Sequence, residues 1–90
     1  MPPRASKKVP DGKLVRVDVE AENRIDDVRV TGDFFVEPPA ARADIETAIE
    51  GHPVDVDRET ILAAVEGVDA TLIGFSAADV ADLTMEALDD

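Results

Sequence analysis

In two runs, Val15–Val19 and Val28–Val36, the chain alternates with a period of two, and this pattern constrains the fold more than any other feature of the sequence. In KLVRVDVEA, Val15, Val17 and Val19 share one face while Leu14, Arg16, Asp18 and Glu20 mostly point away, the pattern of a half-buried antiparallel strand. EAENRIDD then offers a polar turn centred on Asn23, a residue that tolerates left-handed backbone, and DVRVTGDFFV resumes the alternation with Val28 and Val30. The two runs form a hairpin. Carried forward, the count puts Val30, Gly32, Phe34 and Val36 on the inner face and Arg29, Thr31, Asp33 and Phe35 on the outer. Phe34 and Phe35 are two of only three aromatic residues, and on a strand they face opposite ways. A bulge at Gly32 would exchange the rings, but either way one of them leaves the valine face.

The flanking segments read as an α+β domain. Residues 1–9 lack periodicity, contain two early prolines and are expected to form a flexible basic arm. Pro10, Asp11 and Gly12 follow in the order of a tight turn. Beyond the hairpin, EPP stops the strand, and Pro39 suits the first position of a helix in which Ala41, Ile45, Ala48 and Ile49 form one stripe before Gly51 ends it. HPVDV is a link; Asp57 then caps a second helix with Ile61, Leu62 and Val65 inward and Gly67 at its end. Ser76 and Asp79 stand in capping-box spacing, with Phe75 and Val80 as a hydrophobic staple, ahead of a third helix over about residues 77–88. The expected fold is a small antiparallel sheet, the hairpin with room for a third short strand, packed against about three helices. Residues 10–90 form the domain.

The residues exclude much chemistry. Cysteine is absent, which removes thiolate metal sites, disulfides and a cysteine nucleophile, and His52 is the only histidine, in a GHP loop. Asp55, Asp57, Glu59 and Glu66 match four positions of a calcium loop, yet Thr60 occupies the position that requires glycine, and the segment reads better as a capped helix. There is no Gly-rich phosphate loop, no serine elbow and no lysine in the helical body, so no catalytic residue and no metal site are assigned. Nine basic and twenty-one acidic residues give a net charge of -12. Arg4, Lys7, Lys8, Lys13 and Arg16 against Asp11 make residues 1–16 net +4, which leaves -16 on the rest. That body repels phosphate backbones, which argues against nucleic acid, and its acidity without lysine fits a salt-adapted cytoplasm. No run is long and apolar enough for a membrane span or a signal peptide, so a cytoplasmic location is expected. What remains is an interaction or accessory domain.

The run VPDGKLVRVDVEAENRIDDVRVTGDFFVEP, a helix ending in EGHPVD, a second helix and a closing LIGFSAADVADL together resemble the C-terminal accessory domain of lipoate-protein ligase A, over about residues 9–88. The most specific part is the combination of Gly12-Lys13, the alternating hairpin and Gly32-Asp33-Phe34-Phe35; the chain departs from the family in having Asn23-Arg24 at the hairpin turn, where glycine is usual. The large catalytic domain that normally precedes this domain is not part of the sequence. In some lineages the two halves are similar to separate polypeptides.

The resemblance implies a non-catalytic small subunit of a bipartite ligase. With its large subunit it would serve ATP-dependent activation of lipoate to lipoyl-AMP and transfer to a lysine of a lipoyl-domain acceptor. It implies further that lipoate, ATP and Mg²⁺ are bound by the large subunit, with no cofactor held by this chain alone. Lys13, Gly32, Asp33, Phe34 and Phe35 are the candidate partner-binding residues, with one phenylalanine under the helices and the other offered to the large subunit. The competing expectation, from another class, is a free-standing acidic module that docks a carrier or scaffold with no role in lipoylation.

Overall fold

A computed structural model describes residues 4–8 and 14–89. The valine alternation does what its period requires. Strand β2 (Leu14–Ala21) and strand β3 (Ile25–Gly32) pair antiparallel, with Val17 opposite Val30 and Val19 opposite Val28, and Val15, Val17, Val19, Val28 and Val30 are all buried. The reversal between them differs from the expected one. No described non-glycine residue has a positive φ, so Asn23 is not left-handed; a register shift at Glu20/Ala21 and a bond from the Glu22 N–H to the Arg24 carbonyl turn the chain instead.

The expected flexible arm is corrected over Arg4–Lys8, which form strand β1 along the free side of β2, Arg4 opposite Asp18 and Lys8 opposite Leu14. The expected turn at Pro10–Lys13 lies outside the described residues. A second correction concerns the hairpin's return strand, which does not run on to Val36. It ends at Gly32, and Phe35–Glu37 form a separate strand, β4, that pairs antiparallel with β5 (Thr71–Ile73). The described strands thus make a three-stranded sheet in the order β1-β2-β3 and a two-stranded ribbon.

Helix α1 (Ala41–Ile49) begins two residues beyond Pro39, after bonds from the Ala41 and Arg42 N–H groups to the Pro38 and Pro39 carbonyls, and Gly51 at φ 90° follows its end. Helix α2 (Arg58–Glu66) is capped by Asp57, whose carboxylate accepts from the Thr60 N–H at 2.8 Å. Helix α3 (Ala77–Leu88) starts with a full capping box: Ser76 Oγ accepts from the Asp79 N–H, and the Asp79 carboxylate accepts from the Ser76 N–H at 2.9 Å. These bonds satisfy donors that a helix start leaves open, so the starts of α2 and α3 are fixed by local chemistry. The helices cover the valine face: α3 lies on β2 and β1, α1 on β3, and α2 packs against both helices. Ile45, Ile49, Ile61, Val65, Val80, Leu83 and Ala87 complete the core.

At the outer side of β3 the sheet is closed by side chains. Glu46 accepts from the Val30 N–H at 2.7 Å and Glu50 from the Val28 N–H at 3.0 Å, while Ile25 exchanges backbone bonds with Gly51 and His52. Helix α1 therefore caps an edge that would otherwise invite another strand.

Candidate partner-docking surface

Gly32 is where the chain leaves the sheet. Its φ is 149°, and a Cβ at this position would stand 2.1 Å from the Leu14 carbonyl oxygen, so no other residue fits the backbone. The same carbonyl accepts the Asp33 N–H at 2.9 Å, which fixes the exit beside the start of β2. Phe34 turns inward and is half-buried, its ring 4.2 Å from that of Phe75 at a 36° tilt. Aromatic pairs add about 0.5–1.5 kcal/mol beyond the area they bury.

On β4 the alternation continues. Val36 is buried opposite Leu72, while Phe35 stands opposite Ile73 on the outer face of the ribbon, 68% and 43% exposed respectively. Directly opposed side chains on an antiparallel pair lie side by side, so these two form one apolar surface. An open hollow borders it, lined by Phe35, Glu37, Pro38, Pro39, Thr71 and Ile73, with a cis peptide bond between Glu37 and Pro38.

Of the five candidate residues, Phe35 alone is an exposed ring; Phe34 belongs to the packing, Gly32 answers a backbone demand, Asp33 is exposed, and Lys13 lies outside the described residues. The sequence marks Pro38 and Pro39 as a strand stop and a helix start rather than as surface, and it does not mark Ile73. Thr71-Leu72-Ile73 alternates over only three residues, too short a signal to mark a strand without its partner.

Elsewhere the titratable groups serve the fold. Among the described residues no cluster of acidic or histidine side chains could hold a metal ion. Asp57 of the calcium-like run is engaged by the side chain and then the N–H of Thr60, bonds that favour its charged form and hold its carboxyl below the usual range. Stabilisation from this cap is therefore present above the ordinary carboxylate pKa and is lost as pH falls through the lowered value. Arg58 joins α2 to α3 by donating to Asp82 at 2.5 Å, and that partner raises the guanidinium pKa further. His52 Nε2 lies 3.1 Å from the Ala48 carbonyl oxygen, at the end of α1.

The fold is thus a small α+β domain that exposes Phe35 beside Ile73 on the outer face of its two-stranded ribbon. No protein-family model matches the sequence, and no curated protein matches it either. Among solved structures, the fold is similar to a chain from the structural analysis of an archaeal lipoylation system, a bipartite lipoate protein ligase and its E2 lipoyl domain from Thermoplasma acidophilum. The superposition covers 93% of this chain and 94% of that chain, with a TM-score of 0.74 and 22% identity. The two share a fold over nearly their whole lengths.

Proposed function

We propose that the chain is the non-catalytic small subunit of a bipartite lipoate-protein ligase, acting in the cytoplasm with a separate large subunit. The observation that carries this reading is the end-to-end likeness to a chain of an archaeal bipartite ligase system. Lipoate, ATP and Mg²⁺ belong on the large subunit in this reading, and a lipoyl-domain lysine is the acceptor. Lipoyl-AMP is a mixed anhydride that water destroys, and a small domain closing over it excludes water without supplying a nucleophile. The Phe35–Ile73 face is the surface offered to the large subunit, because a rigid aromatic beside an aliphatic is the kind of anchor that dominates an interface.

Reconstitution tests the reading. The purified chain given ATP and lipoate should form no lipoyl-AMP, whereas the cognate large subunit should need the chain for adenylate formation and lysine lipoylation. Full activity of the large subunit without the chain, or adenylate formed by the chain alone, overturns it. An acidic docking module with no role in lipoylation would bind a carrier protein yet leave both reactions unchanged.

A further inference from the structure

The strand edges of the described chain are not closed alike. The outer side of β3 is closed by Glu46 and Glu50, and β1 has Arg4, Lys7 and Lys8 among its five residues, a composition that discourages pairing with a further strand. In the ribbon, β4 lies against α1 and runs straight into Pro38 and Pro39, which have no N–H to offer. Strand β5 is different. Thr71, Leu72 and Ile73 include no charge and no proline, and among the described residues their backbone bonds only to β4. Successive N–H groups on a strand point to opposite edges, so part of this backbone is turned away from β4 without a partner. Both faces of the strand are also apolar. Ile73 stands beside Phe35 on the outer face, and on the inner face Leu72 lines a cavity of about 290 Å³ with Ile45, Val65, Val68, Ala70 and Ala77. No residue of β4 lines this cavity, so it lies toward the free side of β5.

We propose that the free edge of β5 takes an extended segment of the partner protein as a third strand of the ribbon, a segment apolar at its centre and basic at its flanks. The inference rests on the proposed function, in which the large subunit supplies that segment. Unpaired edge backbone is matched by another extended chain. Side chains of an added strand alternate between faces, so the residue beside Ile73 extends the Phe35–Ile73 surface and the residue beside Leu72 reaches the cavity, which has room for an aliphatic side chain. An edge of three residues provides only a few backbone bonds, and these two apolar contacts carry the rest. Charge favours a partner over a second copy. Asp33 and Glu37 at β4 and Glu66 and Asp69 ahead of β5 are exposed, and the chain has no basic residue between Arg29 and Arg42 or after Arg58. Self-pairing would bring acid to acid, whereas lysine or arginine at the ends of the added segment complements it.

Amide exchange of the isotope-labelled chain, alone and bound to the cognate large subunit, tests this. In the complex, exchange should slow about fivefold or more, the effect of a net hydrogen bond of about 1 kcal/mol, either at Leu72 alone or at Thr71 and Ile73 together, whichever set is turned away from β4. A70L fills the cavity from within and should weaken the complex about tenfold or more, the loss of one buried aliphatic side chain. E66Q/D69N should weaken it about two- to fivefold at about 50 mM salt, where screening is weak. The charge variant alters exposed side chains only, so it and the exchange pattern keep the answer readable if A70L folds poorly. The proposal is overturned by a complex whose β5 amides exchange as in the free chain, slow without alternation or leave the alternation to Phe35–Glu37, and by full affinity in both variants. The same slowing in the chain alone at high concentration assigns the edge to a second copy and overturns it too. A large subunit that does not bind at all, read by calorimetry, overturns the proposed function itself, a failure distinct from a complex that forms without using β5.

Discussion

Phe34 and Phe35 differ by one position in sequence and by the whole thickness of a strand in environment. Phe34 meets Phe75 at 4.2 Å, whereas Phe35 is 68% exposed. Truncating a packed phenylalanine costs about 3–5 kcal/mol, and Phe34, half-buried, belongs at the lower end, so F34A should lose about 3 kcal/mol in urea unfolding. F35A should stay within about 0.5 kcal/mol of the parent in the same assay; under the proposed function it should also weaken binding to a ligase large subunit by about 2 kcal/mol, read by calorimetry. Equal losses of stability in both variants would mean that the second ring is structural as well. Gly32 is the third decisive residue of the motif. G32A must move its Cβ out of contact with the Leu14 carbonyl and abandon a φ of 149°, which costs at least about 1–3 kcal/mol in backbone strain alone. The variant should unfold at clearly lower urea than the parent.

At the scale of elements, helix α1 is tied to strand β3 by more than apolar packing. Glu46 and Glu50 hold the N–H groups of Val30 and Val28, so the helix acts as the sheet's missing neighbour. E46A leaves the Val30 N–H without that acceptor and should cost about 1.5–3 kcal/mol, together with faster amide exchange at Val30 than at Val17 on the central strand. Unchanged exchange at Val30 would refute the capping role. Elements with a local cause were legible in the sequence: the Asp57 cap, the Ser76–Asp79 box and the valine alternation each act within a few residues. Strand β1 was not, because Ala5 and Lys7 stand opposite the buried Val17 and Val15 without an apolar alternation of their own; pairing with the free side of β2 defines the strand. Strands β4 and β5 have three residues each, and their pairing joins Phe35 to Ile73 across two helices. The inner-face count through Gly32 predicted the orientation of Phe34 and Phe35 even though the strand itself breaks there, since the period of two is kept on both sides of the break. The exposed half of the candidate surface was therefore partly readable at Phe35 and unreadable at Ile73.

On the scale of the molecule, the charge of -12 acts everywhere at once. Like charges repel in the compact state, and screening contracts from about 10 Å at 0.1 M salt to about 3 Å at 1 M. The thermal midpoint should rise across that range of KCl; a flat or falling midpoint would show that self-repulsion is not a leading cost. The ribbon of β4 and β5 has a different global effect. By pairing Phe35–Glu37 with Thr71–Ile73 it encloses α1 and α2 in a ring of chain, and α3, which follows, returns to cover β2. The stretch before the exposed Val54 carries the sheet and α1, and the stretch after it carries α2 and the helix that shields the central strand. A single protease nick at Val54 should accordingly leave two interleaved fragments that persist as one body, each lacking the other's half of the interior and neither able to fold once they are separated.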